Sequence, residues 1–230
     1  MEKAALVTGG SSGIGLAIAR MLRAEGYELT LASRRPERVE AAANELGALA
    51  VAADVSKEHD CERLVAEHRE RFGRLDVLVN SAGIGIAGAL EQLSTKHWDL
   101  QLGINLRGLF LVTRASVPLL RASRGLVVNL SSIAGTIPTP GLAAYGASKA
   151  AVISLTRSLN AELDGAGVRC TALCPGFVDT AMAEWSGVPS DEMIRPADCA
   201  EVVRMLLRLG PHARVAQIVI ERVGASDQIA

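Results

Sequence analysis

Aromatic side chains are scarce in this chain of 230 residues. They make up 3% of it, and just two are tyrosines, Tyr27 and Tyr145. A core without them rests on Ala, Val, Leu and Ile, a mix that suits thin strands packed under Ala-rich helices. At this length about 70% of the unfolded surface can be buried, so no metal or disulfide is needed to hold a core. Cysteine is sparse too. Cys61, Cys170, Cys174 and Cys199 form no CxxC pair, and no histidine stands at ligand spacing from a cysteine pair, which argues against a structural zinc site. Cys170 and Cys174 fall in an apolar run, where a thiol behaves as a small hydrophobe. All four are read as reduced, as in a cytoplasmic protein. The histidines His59, His68, His97 and His212 are scattered over polar segments; they are expected to be solvated, and no metal is implied. Neither charge dominates: the net charge is −1 and the pI about 6.4. The short basic runs Arg34-Arg35 and Arg121/Arg124 fall short of a nucleic-acid footprint. No apolar stretch approaches the roughly 20 residues of a membrane span. Met1-Glu2-Lys3 runs straight into an apolar strand, so no signal peptide is expected.

What is present is alternation. Short apolar runs predict strands over Ala4–Val7, Glu28–Ala32, Leu49–Ala53, Leu75–Val79, Leu126–Leu130, Val168–Leu173 and Ala216–Ile220. Most are continuously apolar, as in a parallel sheet covered on both faces. Helical periodicity predicts helices over Ile14–Ala24, Glu37–Leu46, Lys57–Phe72, Thr95–Leu120, Ala144–Asp164 and Pro196–Leu209. Ser56, Ser94 and Pro196 mark helix starts, and Gly26, Gly47, Gly73 and Gly210 mark stops. Strand-helix-strand repetition gives a doubly wound α/β sheet of the Rossmann type, with seven strands and helices on both faces. No linker or composition shift divides the chain, so residues 1–230 read as one domain.

The first strand ends in Thr8-Gly9-Gly10-Ser11-Ser12-Gly13-Ile14-Gly15, and a helix follows at once. Glycines there permit a tight turn and let a pyrophosphate approach the backbone, while the helix start offers free N–H groups and the positive end of its dipole. A bare Gly-rich turn is the bland reading; its place between first strand and helix favours a dinucleotide. The second strand ends in Ser33-Arg34-Arg35, with no acid to hold a ribose 2′-hydroxyl. A guanidinium can clamp a 2′-phosphate, so NADP(H) is expected over NAD(H). Either arginine could instead be a solvated loop charge, Arg35 pairing with Glu37. Further along, Tyr145 and Lys149 share a helix face at i, i+4. Ser132 stands thirteen residues before Tyr145, just past the carboxyl end of the fifth strand, where open α/β sheets bind ligands. The Lys149 charge is expected to lower the phenol pKa.

The glycine loop TGxxxGIG, Asp54-Val55, Asn80-Ser81-Ala82-Gly83, Asn105, Ser131-Ser132, Tyr145-xxx-Lys149 and Pro175-Gly176 follow one another in an order and spacing that resembles the short-chain dehydrogenase/reductase family. The resemblance runs from residue 5 to about residue 180, with Ser81 in place of the family's usual second Asn. It implies an oxidoreductase moving a hydride between NADP(H) and a carbonyl or secondary alcohol. Tyr145 would be the acid/base, with Lys149 tuning it and holding the nicotinamide ribose. Ser132 would orient the substrate oxygen, preferred to Ser131 on its spacing to Tyr145. Asn105 would hold a relay water. The cofactor set it implies is Gly9, Ser11, Ser12, Gly13, Ile14, Gly15, Ser33, Arg34, Arg35, Asp54, Val55, Asn80, Ala82, Gly83, Tyr145, Lys149, Pro175, Gly176, Val178 and Thr180. In that set Asp54 would meet the adenine amino group and Val55 border the ring, although Asp54 also reads as a turn or cap residue. Asn80 would brace the central strands, and the Val178 backbone would meet the carboxamide. Substrate identity is expected in 84–90, 133–144 and 181–194, with Met182, Trp185 and Met193 as candidate lining. Trp98, Leu102, Leu106, Leu109, Val117 and Leu120 recur at helical spacing with Phe110 and Leu111 pointing elsewhere, which predicts a homodimer or homotetramer through this helix and the Tyr145 helix, as in the family. A 3-oxoacyl-thioester reductase that receives an acidic carrier at Arg121 and Arg124 is the alternative enzyme. A non-catalytic NADP sensor is the alternative of another class.

Overall fold

The computed structural model describes residues 2–224, the side chain of Trp185 excepted. Seven strands, β1 (Ala4–Thr8), β2 (Glu28–Ser33), β3 (Leu49–Ala52), β4 (Val77–Asn80), β5 (Leu126–Leu130), β6 (Arg169–Pro175) and β7 (Gln217–Ile220), form one sheet in the order β3-β2-β1-β4-β5-β6-β7. Every pairing is parallel. The chain winds outward from β1 to β3 and then returns to the other side of β1. The crevice where the order reverses therefore opens at the carboxyl ends of β1 and β4.

Seven α-helices cover the sheet: α1 (Gly13–Ala24), α2 (Pro36–Leu46), α3 (Glu58–Phe72), α4 (Thr95–Leu102), α5 (Leu109–Ser123), α6 (Ala143–Leu163) and α7 (Pro196–Arg208). Buried residues of α1, α2 and α7 form one core layer, with Ile18, Leu22, Val39 and Val203 against Leu29, Leu31 and Val128. Residues of α3 and α5 form the other, with Leu64, Leu111 and Leu120 against Leu6, Leu78 and Val127. Truncating one such buried leucine to Ala costs about 2–5 kcal/mol. None of the described helices is long and apolar enough to cross a membrane.

Several expectations need correction. The predicted single helix over Thr95–Leu120 is interrupted by a π-helical turn at Gly103–Gly108 and continues to Ser123. Within it Leu109, Leu111 and Leu120 belong to the core; the exposed apolar groups are Trp98, Leu100 and Phe110. Ser94 does cap α4, accepting from the His97 N–H. Ser56 caps nothing: its N–H and O–H both donate to Asp54 Oδ1. His68 is not solvated. It has no exposed surface and bridges Thr30 Oγ1 (2.8 Å from Nδ1) to the Arg74 carbonyl (2.9 Å from Nε2). All four cysteines are buried free thiols. Burial pushes Cys61 up to about 11 and Cys170 and Cys199 up to about 12, far from a reactive thiolate.

Candidate active site

The turn after β1 is shaped by close backbone approach. Gly9 has φ +66°, and a Cβ there would stand 2.8 Å from the Ala82 nitrogen; a Cβ on Gly15 would run into the Gly9 carbonyl. Glycine is therefore demanded at both positions, and the loop lies directly against the Ser81-Ala82 backbone that follows β4. Thr8 Oγ1 ties the two loops together by accepting from the N–H groups of Ser81 and Ala82, each at 3.2 Å. Above this junction opens a cleft of about 560 Å³.

Gly9, Ser11, Ser12, Gly13, Ile14, Val55, Ala82 and Gly83 line this cleft, with Thr180 against Gly13, where a Cβ would stand 3.1 Å from Thr180 Cγ2. Ser33, Arg34 and Arg35 stand at the end nearest β2, and Arg38, from the first turn of α2, joins them. Arg34, Arg35 and Arg38 make no ion pair among the described residues, and the Arg35–Glu37 pair is not formed. Arg20 also lines the cleft but is engaged bidentately by Glu45. The spacing of Arg38, four residues after Arg34 on a helix start, was the signal for it. Ser81, Ile104 and Asp179 are further lining residues that sequence reasoning left out, and Ile84 and Met182, expected on the substrate side, line the cleft as well.

Other expected cofactor residues lie off the lining. Asp54 Oδ1 holds the Ser56 turn, so the turn reading describes its contacts. Asn80 is buried and braces the sheet: its Nδ2 donates to Thr113 Oγ1 (3.0 Å) and Asn129 Oδ1 (2.9 Å), and Asn129 passes the chain on to Thr156. Pro175, Gly176 and Val178 continue from β6 under the segment that follows. Val178 bridges to Ile194, and its carbonyl accepts from Thr180 Oγ1.

Four side chains converge beyond the cleft. Tyr145 and Lys149 stand one turn apart on α6, the Lys149 Nζ 5.6 Å from the centre of the phenol ring. Ser132 faces the Tyr145 phenol and acts to lower its pKa, while its Oγ accepts from the Ala134 N–H at 3.2 Å and reaches the Pro175 carbonyl at 3.5 Å. Ser131 does not compete for that place: its hydroxyl donates to the Lys149 carbonyl at 2.8 Å. The Lys149 Nζ donates to the Leu130 carbonyl at 2.7 Å, at the end of β5. Asn105, inside the π-helical turn, clamps Ile84 at both backbone atoms (2.8 Å from its N–H, 2.9 Å from its carbonyl) and donates to Ser148 Oγ. Burial raises the Tyr145 phenol above its ordinary value, opposed in part by Ser132. Burial lowers the Lys149 ammonium to about 8. Lys149 does not lower the phenol as expected: its Nζ is turned to the Leu130 carbonyl, and burial moves the phenol upward. A protonated phenol, a hydroxyl and an amine so grouped can deliver a proton to an oxygen held between the first two.

The family described as short chain dehydrogenase matches residues 3–187. An uncharacterized oxidoreductase of Staphylococcus epidermidis is 36% identical, covering 96% of this chain and 98% of its own. A 2-(R)-hydroxypropyl-CoM dehydrogenase of Xanthobacter autotrophicus is also 36% identical, over 90% and 91% of the two chains. Among solved structures, an alcohol dehydrogenase of the archaeon Thermococcus sibiricus complexed with 5-hydroxy-NADP superposes with a TM-score of 0.90 at 34% identity, covering 96% of this chain and 97% of that one. A serine dehydrogenase complexed with NADP+ superposes with a TM-score of 0.87 at 28% identity, covering 94% of each chain.

Proposed function

The chain belongs to the short-chain dehydrogenase family, and from that premise we propose that it is an NADP(H)-dependent oxidoreductase acting between a carbonyl and a secondary alcohol. The observation that carries the reading is the meeting of Ser132, Tyr145 and Lys149 beside a glycine cradle at the carboxyl edge of the sheet. One sheet carries both the cradle and these groups, and we read residues 1–230 as one dinucleotide-binding and catalytic domain.

The cradle fits a dinucleotide: Gly9 and Gly15 keep it free of side chains, and the start of α1 faces it. Arg34, Arg35 and Arg38 would receive a 2′-phosphate, and the absence of an acid at the end of β2 removes the repulsion a carboxylate would exert. The two solved relatives that carry NADP or its hydroxylated form support the same choice. When bound, the cofactor supplies or accepts the hydride. Tyr145 then gives its proton to the carbonyl oxygen in reduction, or takes it from the alcohol in oxidation. Ser132 holds that oxygen by a hydrogen bond. Lys149 would hold the nicotinamide ribose and return a proton to Tyr145. The Asn105 side chain is committed to Ile84 and Ser148, so we assign the relay water to the backbone of the π-helical turn around it.

The carrier-protein alternative is disfavoured by topology. Arg121 and Arg124 lie at the end of α5, just ahead of β5, and so at the amino edge of the sheet, a strand's length or more from Tyr145. Trp98, Leu100 and Phe110, exposed on α4 and α5, favour a homodimer or homotetramer, and the four free thiols suit the cytoplasm. The deciding experiment is a turnover screen with NADPH and NADH against small ketones, diketones, acetoacetyl thioesters and the matching alcohols. Ketone reduction with NADPH supports the reading. Tight NADPH binding without turnover of any of them would favour the sensor instead.

A further inference from the structure

Gly85 stands beside the phenol ring with no backbone reason to be glycine, since its φ is not in the left-handed region. A Cβ built on it would lie 3.6 Å from Tyr145 Cδ2 and Cε2 and 4.0 Å from Met182 Sδ. The missing side chain thus leaves the ring edge and the thioether facing each other across the glycine. The two sides of this gap differ in mobility. The glycine side is pinned: Asn105 holds Ile84, Gln101 Oε1 accepts from the Ile86 N–H at 2.9 Å, and the Gly88 N–H donates to the Gly141 carbonyl at 2.8 Å. The other side is a methionine with 44% of its surface exposed and three rotatable bonds.

Charge narrows what can enter. Between Asp179 and Arg195 the chain carries four acids and one base. That base, Arg195, is engaged by Asp198 at the start of α7. Arg222, the buried cation that reaches this segment, is met by Glu192. An anionic substituent would face a negative segment whose neighbouring cations are already paired.

On the carbonyl/alcohol reading above, we propose that the gap over Gly85 between Tyr145 and Met182 determines substrate choice. It takes neutral ketones and secondary alcohols whose larger substituent is apolar, and Met182 turns outward to admit that group. Gly85 sets the fixed limit and Met182 the adjustable one.

The test compares acetophenone with 2-butanone. For each protein it reads the kcat/KM ratio of the two in reduction by NADPH. It also reads the binding of 1-phenylethanol and 2-butanol to the NADPH complex, where no hydride can pass. Met182→Ala should raise the acetophenone-to-butanone ratio by about tenfold, and Gly85→Val should lower it by about thirtyfold, since apolar contacts of this size discriminate by roughly 10–200-fold. Gly85→Ala, whose methyl meets only ordinary contacts, should lower it less and guards against a folding failure in the valine variant. Alcohol binding should shift in the same directions, and in Gly85→Val NADPH affinity stays put. Unchanged ratios in both Met182→Ala and Gly85→Val would overturn the assignment, as would a preference of the unmodified enzyme for benzoylformate, the carboxylate counterpart, over acetophenone. If the unmodified enzyme reduces ketones while the variants leave the ratio alone, this inference fails by itself. If it turns over no ketone or alcohol, the oxidoreductase reading fails and takes the inference with it.

Discussion

Acid should weaken this fold through one side chain, His68. The Arg74 carbonyl at Nε2 can only accept, so Nε2 carries the proton and the neutral ring takes the Thr30 hydroxyl at Nδ1. Protonation would place a second N–H against that hydroxyl and a charge in a site with no exposed surface. Burial accordingly lowers the imidazole from 6.5 to about 4. With the folded value below the unfolded one, the unfolded chain holds the extra proton between those two pH values. The contribution is complete above about pH 6.5 and is lost as the pH falls toward 4. At about pH 4.5 the linkage amounts to about 2.5 kcal/mol, a large part of the roughly 5–15 kcal/mol that holds a typical domain. Urea unfolding at about pH 7.5 and about pH 4.5 checks this, with unmodified protein and His68→Gln side by side. Gln keeps a donor and an acceptor but does not titrate, so the variant should begin less stable and lose about 2.5 kcal/mol less on acidification. Equal losses in the two proteins at constant m-value, or a His68 resonance titrating near its ordinary value, would refute the reasoning.

Arg34→Asp should weaken NADPH binding roughly 10–150-fold, the equivalent of losing one charge-assisted hydrogen bond, and leave NADH binding nearly as it was; fluorescence titration reads both, and equal affinities for the two in the unmodified protein would contradict the cofactor assignment. Tyr145→Phe should cut turnover by about 100 to 10,000-fold with NADPH affinity intact, whereas Lys149→Ala should damage both. Because burial holds the Tyr145 phenol above its ordinary value, the proton needed for reduction should persist into alkaline solution and oxidation should rise with pH; a reduction rate that fades through neutrality would count against Tyr145 as the acid. Gln101→Met should barely move the unfolding midpoint: it strands the Ile86 N–H but also removes the Gln101 Nε2, which is buried without a partner. Its effect should appear as a raised KM for bulky ketones at unchanged NADPH affinity.

What could be read from the chain was what local chemistry decides. Continuous apolar runs between glycine stops located the seven strands to within a few residues, since a strand covered on both faces has no polar side to disguise it. The glycine loop was legible because its helix follows without an intervening residue. The interruption in the long helix was not: an i→i+5 turn uses the same residue types as an α-turn, and Gly103–Gly108 adopts it where Asn105 reaches across to Ile84. His68 was misread from its polar neighbours, although Cys61, Leu64, Val65 and His68 are spaced as one helix face and are all buried. Composition hid a stripe that periodicity would have shown.

Spacing to Tyr145 favoured Ser132 over Ser131 by resemblance alone, and gave no physical reason for the choice. The pleat decides between them. Successive residues leaving a strand face opposite ways, so the two hydroxyls cannot address the same partner. The β5 end is fixed by its neighbours: the Ser131 N–H donates to the Leu173 carbonyl of β6 at 2.7 Å. From that position the Ser131 hydroxyl reaches the Lys149 carbonyl, while the Lys149 Nζ returns to the Leu130 carbonyl one residue earlier. Strand and helix are thereby joined at both ends of one lysine. Tyr145 lies one turn before Lys149 on α6, on the side where Ser132 acts to lower its phenol. Ser131 sets the distance between β5 and α6, and Ser132, held by the Ala134 N–H at the turn that follows, is the hydroxyl on the phenol's side.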